Sequence, residues 1–171
     1  MSHLRPLEIR DAERLAELVV RSRDFLAPWE PLRPDSYFTV SGQREAVTQS
    51  LRTRATGQME PFVILDEDDQ VAGRINLNNI VRGPFQSASM GYWLDQQATG
   101  RGLATRAAGE LVELAFEALG LHRVEAGTLP HNLASQAVLE RNGFEQFGYA
   151  QRYLAIGGVW ADHILFQRLA D

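Results

Sequence analysis

GYWLDQQATGRGLAT, residues 91–105, joins a strand pattern to a glycine-rich turn and to the start of a long helix. Gly100 and Gly102 let the backbone approach a ligand closely, and the first-turn amides of the following helix point free N–H groups outward. Because the helix dipole adds to these hydrogen-bond donors, an anion such as a pyrophosphate is the expected ligand.

Two other interpretations of this stretch stay open. Glycines at such a turn also serve tight strand-to-helix packing alone, without any ligand. A dinucleotide site is less favoured, because the third glycine of that fingerprint and its downstream acidic partner are not evident. A phosphate ligand would draw on Thr105 and on Arg101 or Arg106, which lie within reach of the turn.

The segments next to this stretch predict a crossover unit. Residues 103–120 repeat apolar side chains at helical spacing, and Gly120 ends the pattern. HRVEAGTL, residues 122–129, is typical of a strand. A strand, a helix and a second strand in this order form one crossover with parallel strands.

Further along the chain, a second helix and a hairpin are predicted. NLASQAVLERNGF, residues 132–144, indicates a helix with Asn132 as its N-cap and Gly143 as its terminator. The remaining sequence favours two strands that turn at Gly157–Gly158.

The segments that precede the glycine-rich stretch predict two helices and an antiparallel meander. LEIRD, residues 7–11, indicates a short strand, after which Asp11 caps a helix over residues 12–26. Ser41 is the expected cap of a helix that ends before Gly57. Three predicted strands follow, over residues 61–68, 70–81 and 87–95. We expect one α/β domain over residues 1–171, with about seven strands in a mixed sheet and helices on both faces.

The composition excludes several kinds of chemistry. The chain has no cysteine, which removes thiol nucleophiles and disulfides, and all 17 basic residues are arginine, which removes Schiff-base lysines. The net charge of -5 argues against nucleic-acid binding, and no apolar run approaches the roughly 20 residues that span a bilayer. The histidines lack ligand spacing, so no metal is expected. We therefore expect a cytoplasmic protein that binds neither nucleic acid nor membrane.

A second motif further along the chain favours one of the interpretations of the glycine-rich turn. PHNLASQAVLERNGFEQFGY, residues 130–149, lies one helix and one strand downstream of Gln97-x-x-Gly100-x-Gly102. Together the two segments resemble the coenzyme-binding motifs of the GNAT superfamily of acetyl-coenzyme A dependent N-acetyltransferases. Residues 78–95, 121–135 and 148–169 are similar to the RimJ/RimL group, which acetylates N-terminal alanines of ribosomal proteins. The resemblance covers most of the chain and is strongest from Gly73 onward.

The resemblance implies a set of coenzyme-binding residues. In this superfamily the strand before the turn splays from the strand after the long helix, which frees backbone groups near Gly91 for the pantetheine arm and for the thioester carbonyl. Asn132 would bind the pantetheine amides. The implied coenzyme residues are Tyr92, Trp93, Leu94, Gln97, Gly100, Arg101, Gly102, Leu103, Ala104, Thr105, Asn132 and Ser135.

The resemblance also implies catalytic and substrate residues. Ser135 would protonate the leaving sulfur, and Glu60, which precedes a strand beside the cleft, is the first choice for the general base. A water relayed by Asn76 or Asn78 would serve as well, and three tyrosines are further candidates. These are Tyr92, Tyr149 and Tyr153. Phe25 and Trp29, on the motif FLAPWEP, would line the substrate side together with Asn76 and Asn78.

The expected reaction is direct attack of a primary amine on acetyl-coenzyme A in a ternary complex, without a metal. The resemblance implies an N-terminal alanine, or serine or threonine, of a protein such as a ribosomal protein. Two alternatives stay open: a small amine such as an antibiotic or a polyamine, and a non-catalytic sensor of acyl-coenzyme A. The protein is expected to be a monomer or a homodimer.

Overall fold

Seven strands form one mixed sheet in the computed structural model, which describes residues 2–170. Met1 and Asp171, the ends of the predicted domain, lie outside the described residues. The strands are β1 (Leu4–Pro6), β2 (Glu60–Leu65), β3 (Val71–Val81), β4 (Ser87–Leu94), β5 (Arg123–Thr128), β6 (Glu145–Ile156) and β7 (Val159–Leu169). Their order across the sheet is β1-β2-β3-β4-β5-β7-β6. The predicted fold class is confirmed, with the meander β2-β3-β4 and a parallel β4–β5 pair.

Helices cover both faces of this sheet. They are α1 (Ala12–Arg21), α2 (Arg23–Leu26), α3 (Val40–Ala55), α4 (Leu103–Glu113) and α5 (Leu133–Arg141). On one face α4 buries Ala107 and Leu111 against Ile75 of β3. On the other face Leu15 of α1 and Val47 of α3 pack with Val63 of β2. Within residues 2–170 no helix is long and apolar enough to cross a membrane.

The predicted helix over residues 12–26 is divided into α1 and α2 at Ser22. This residue has φ −98° and ψ 10°, outside the helical range. Its buried hydroxyl donates to Asp95 Oδ1 at 2.7 Å and accepts the Gln96 N–H at 3.0 Å. The helix is therefore interrupted at Ser22, whose side chain is hydrogen-bonded to the segment that follows β4.

Three N-terminal details of the prediction were wrong. The strand lies at Leu4–Pro6, and residues 9–11 form a 3-10 turn, because the Asp11 carboxylate accepts the Glu8 N–H at 2.9 Å and pairs with Arg5 at 2.6 Å. With its side chain engaged there, Asp11 bonds no amide of α1. The cap of α3 is Thr39 instead of Ser41, since Thr39 Oγ1 accepts the Gly42 N–H at 3.0 Å.

The central strands β4 and β5 separate along their length. Their pairing runs from Ser87 opposite Arg123 to Ser89 opposite Glu125. Beyond that point a cavity lies between them, lined by Met90–Leu94 on one side and by Ala126–Leu129 on the other. Ligands of open α/β sheets bind at such carboxyl ends of parallel strands. The splay therefore marks the place where a site is expected.

Candidate active site

The cavity between the splayed strands has a volume of about 730 Å³, large enough for an extended organic ligand. Two walls of different construction close it. We call residues 100–105 and 132–135 the glycine wall, and residues 25–30 together with Thr128 and His163 the aromatic wall.

The glycine wall begins with two residues in left-handed backbone conformation. Gly100 has φ +76° and Gly102, the N-cap of α4, has φ +74°. Side chains with a Cβ rarely adopt this conformation, so the turn needs glycine at both positions. The amides of Leu103, Ala104 and Thr105 form the first turn of α4, where N–H groups have no intrahelical acceptor. The turn and the helix start together offer an anion site at the mouth of the cavity.

A buried hydrogen-bond network holds the segment before this turn. Asp95 is only 2% exposed, and its carboxylate accepts Arg21 Nη2–H at 2.6 Å and the Gln97 N–H at 3.2 Å. Burial opposes its ionisation, but the hydrogen bonds from Arg21 and Ser22 outweigh burial, so the pKa of Asp95 lies below its ordinary value. This network holds the segment before the glycine-rich turn against the end of α1. Sequence reasoning missed it, since no local pattern connects residues more than 70 positions apart.

The second part of the glycine wall is the start of α5. The Asn132 side chain accepts the Ser135 N–H at 3.2 Å, which is the capping bond expected from the sequence. The Ser135 hydroxyl lies 2.8 Å from the Tyr92 hydroxyl of β4. Burial raises the pKa of Tyr92 to about 12, while the hydrogen bond with Ser135 lowers it. The phenol therefore stays protonated at neutral pH and is able to donate to Ser135.

Most of the predicted site residues meet in this cavity. The residues of the sequence prediction that line it are Phe25, Trp29, Tyr92, Trp93, Leu94, Gly100, Gly102, Leu103, Ala104, Thr105, Asn132 and Ser135. Gln97 and Arg101 lie just outside, where Arg101 donates to the Gln97 carbonyl at 3.0 Å. The structure therefore brings most of the predicted coenzyme residues together around one cavity, on the glycine wall and on β4.

The predicted base and the two asparagines lie elsewhere. Glu60 pairs with Arg54 of α3 at 3.0 Å and does not line the cavity. The Asn76 side chain accepts from Arg74 at 3.3 Å, and Asn78 lines a separate surface pocket at the end of β3. Their predicted roles gain no support from these positions, and they stay predictions.

Three polar residues of the aromatic wall were not predicted from the sequence as site residues. Burial raises the pKa of Glu30, and Arg33, 3.9 Å away, opposes that shift. Among the described residues, the buried hydroxyl of Thr128 has no hydrogen-bond partner. His163 is 3% exposed, and its Nδ1 lies 3.1 Å from the Ala161 carbonyl oxygen. These side chains come from a loop, from β5 and from β7, so no short motif contains them.

The lining of the aromatic wall is completed by Phe25 and Trp29. The ring of Trp29 lies 5.4 Å from the ring of His131, at the turn before α5. Across residues 2–170, no group of three or more histidines and carboxylates is placed to hold a metal ion. The cavity thus combines an anion site, a hydroxyl pair and an aromatic pocket with embedded polar groups.

Comparisons with known proteins agree on one family. The family described as Acetyltransferase (GNAT) domain matches residues 3–145. A probable N-acetyltransferase of Bacillus subtilis is 41% identical over 94% of this chain and 90% of its own length. The [ribosomal protein uS5]-alanine N-acetyltransferase of Escherichia coli is 37% identical over 91% of this chain and 81% of its length. The structure of Mycobacterium smegmatis RimJ in complex with CoA-disulfide superimposes with a TM-score of 0.94 at 34% identity, covering 98% of this chain and 81% of the other.

Proposed function

This chain belongs to the GNAT acetyltransferase family, and we propose that it moves the acetyl group of acetyl-coenzyme A to the N-terminal α-amine of a protein. The acceptor we propose begins with alanine, serine or threonine. Alanine is included because one relative of this chain is named as an alanine N-acetyltransferase of a ribosomal protein. The observation that carries the proposal is one cavity that joins the glycine wall to the Tyr92–Ser135 pair. Ribosomal proteins are made in the cytoplasm, where we place the reaction.

The glycine wall fits a coenzyme A pyrophosphate. Two glycines with positive φ keep side chains away from the ligand, and the free amides of the first turn of α4 donate to phosphate oxygens. Asn132 is positioned beside the cavity, where its amide nitrogen is free to donate while its oxygen accepts Ser135 N–H. The RimJ structure that superimposes on this chain contains coenzyme A as a disulfide. The residues present therefore suit the coenzyme.

When bound, acetyl-coenzyme A supplies the thioester whose carbonyl carbon receives the amine and whose thiol leaves. The β5-facing backbone of β4 near Gly91, Tyr92 and Trp93 lies beyond the paired part of the two strands. Its N–H groups are available to bond the thioester oxygen, where negative charge develops during attack. Backbone donors in such a water-poor cleft stabilise that charge without having to reorganise.

Ser135 is the proposed acid for the departing sulfur. The Tyr92 and Ser135 hydroxyls lie 2.8 Å apart, and in the arrangement we propose Tyr92 is the donor, which leaves the serine proton free to point into the cavity. Because the raised pKa of Tyr92 keeps its phenol protonated, this orientation holds over the neutral range. A positioned proton donor of this kind accelerates transfer by roughly 100-fold to 10,000-fold.

The aromatic wall is the proposed acceptor side. Phe25 and Trp29 line the cavity opposite the glycine wall and offer apolar surface to a small N-terminal side chain. Both core clusters pack against one sheet, and the family match spans most of the chain. We therefore propose that residues 1–171 act as a single acetyltransferase domain.

The test is release of free thiol from acetyl-coenzyme A by the pure protein. Peptides that begin with alanine, serine or threonine should give turnover, and the same peptides carrying an N-terminal acetyl group should give none. Turnover with polyamines or aminoglycosides alone would overturn the peptide acceptor. Tight coenzyme binding without turnover on any amine would instead establish the sensor.

A further inference from the structure

We propose that His163 is the general base, which takes the proton from the ammonium group of the acceptor before attack. This inference rests on the proposed function, because it names a further residue for the same reaction. It replaces Glu60, whose carboxylate is paired with Arg54 away from the cavity.

His163 lies in the wall of the cavity. It belongs to β7 and pairs with Ala150 of β6, while β5 runs along its other side. Its Cδ2 atom lies 3.6 Å from the place where a Cβ of Gly127 would stand. Gly127 has no side chain, and both Gly127 and His163 line the cavity, so the imidazole lies in the cavity wall with its Cδ2 side against Gly127.

The backbone sets the tautomer of this ring. Nδ1 lies 3.1 Å from the carbonyl oxygen of Ala161, an atom that only accepts hydrogen bonds. Nδ1 therefore carries the proton of the neutral imidazole, and Nε2 carries the lone pair. This arrangement gives the cavity a proton acceptor with a fixed direction, as in bases whose second nitrogen is held by a neighbouring group.

The other titratable groups near the cavity suit other roles. Glu30 lies 3.9 Å from Arg33 and, as a carboxylate, suits electrostatic binding of the ammonium. Asp162, next to His163 in the chain, accepts from the Arg152 amide and from Tyr149 on the exposed side of the hairpin. Tyr153, whose ring lies 5.5 Å from His163, and Tyr92 are phenols and weak bases when protonated. The imidazole differs from these groups because one of its ring nitrogens donates a hydrogen bond while the other is able to accept a proton.

The bonds and protons of the acetyl transfer balance when His163 is the base and Ser135 is the acid. His163 Nε2 accepts one proton of the ammonium, and the lone pair that this frees forms the C–N bond to the acetyl carbon. The C–S bond breaks, and the sulfur takes the hydroxyl proton of Ser135. The second proton of the attacking nitrogen replaces the one that Ser135 lost, through Tyr92 or water. His163 then gives its proton to solvent, so that one proton is released in each turnover.

The experiment compares two acceptors that differ in their need for a base. One is an alanine-initiated peptide, whose α-amine has a pKa of about 8 and is mostly protonated at neutral pH. The other is the same peptide with an aminooxyacetyl group at its N terminus, whose amine is already neutral. For His163→Gln we expect kcat to fall about 100-fold with the first peptide and less than about threefold with the second. His122→Gln, at an exposed histidine that does not line the cavity, is the matched control and should leave kcat unchanged with both peptides.

The outcomes separate the inference from the function on which it rests. Absence of turnover in the wild-type protein would overturn the proposed function. An equal loss with both peptides in a His163→Gln protein that binds acetyl-coenzyme A normally would overturn the base alone. A measurement on the wild-type protein needs no variant: ¹⁵N chemical shifts should show a neutral His163 with the proton on Nδ1. A proton on Nε2 would rule out this nitrogen as the acceptor.

Discussion

The glycine wall and the aromatic wall enclose the same cavity but are built on different principles. The glycine wall uses backbone: two left-handed glycines, the amides of α4 and a capped helix start. The aromatic wall uses side chains from a loop, from β5 and from β7. Backbone geometry suits a ligand part that never changes, such as a pyrophosphate, and side chains suit an acceptor that differs between relatives. A change at the left-handed glycines of the glycine wall should therefore weaken coenzyme binding, and a change in the aromatic wall should alter chemistry or selectivity.

Gly102→Val is the change with the largest expected effect. A β-branched residue at φ +74° is strained, and its Cβ would lie 3.3 Å from Arg106 Nη1, beside the proposed pyrophosphate site. We expect acetyl-coenzyme A to bind about 100-fold more weakly, a loss of roughly 2.7 kcal/mol measured by calorimetry. Gly57→Val is the matched control, since Gly57 has φ +73° after α3 with open space around it. If both variants bound the coenzyme as the wild type does, the glycine wall would not be its site.

Ser135→Ala tests whether the glycine wall also contributes chemistry. We expect kcat to fall roughly 100-fold while the dissociation constant of acetyl-coenzyme A changes less than about threefold, because the Asn132 cap bonds the backbone of residue 135 and survives the substitution. Ser41→Ala, an exposed serine in the first turn of α3, should leave both quantities unchanged. Equal losses in binding and turnover would count against the acid role.

Asp95→Asn should lower the stability of the fold by a smaller amount. Breaking a fully buried ion pair costs roughly 3–5 kcal/mol, but Arg21 is 39% exposed, so we expect about 2 kcal/mol in urea unfolding at neutral pH. Because the folded pKa of Asp95 is lowered, its contribution is complete above the unfolded value of about 3.9 and is lost as pH falls through the folded value. The stabilities of the wild type and of Asp95→Asn should converge as the pH falls below the folded pKa of Asp95.

The control for this comparison is Asp35→Asn. Asp35 pairs with Arg23 at 2.7 Å but is 90% exposed, so its removal should change stability little at any pH. A difference between wild type and Asp95→Asn that stayed constant down to acidic pH would show that packing, instead of the carboxylate charge, accounts for the loss.

Much of the fold was predictable because its signals are local. The strand patterns of the meander, the helix after Gly102 and the cap at Asn132 each lie within a few residues, and the structure has them at the expected places. The capping errors at Asp11 and Ser41 have a physical cause. Several residues near a helix start are able to cap it, and the other hydrogen bonds of each side chain decide among them, as those with Arg5 and Glu8 do for Asp11.

The aromatic wall was less predictable for the same physical reason. Phe25 and Trp29 were found because they lie on the motif FLAPWEP, which resembles the substrate-side loop of the RimJ/RimL group. Glu30 is adjacent to them but is an ordinary carboxylate in sequence, and only folding shows that it is partly buried beside the cavity. In the sequence His163 is an ordinary strand residue, and only the fold shows that it bonds the Ala161 carbonyl and lines the cavity beside Gly127.

The break at Ser22 has a consequence for the kinetics of two-substrate turnover. Its hydroxyl bonds Asp95 and the Gln96 amide, just before the glycine wall, and the chain after it continues through α2 into the aromatic wall. Ser22 therefore connects the segment before the glycine wall to the segment that leads into the aromatic wall. We therefore predict that ligand binding at the glycine-rich turn is coupled through Ser22 to the loop of the aromatic wall, and that initial-rate kinetics show a compulsory order of substrate addition.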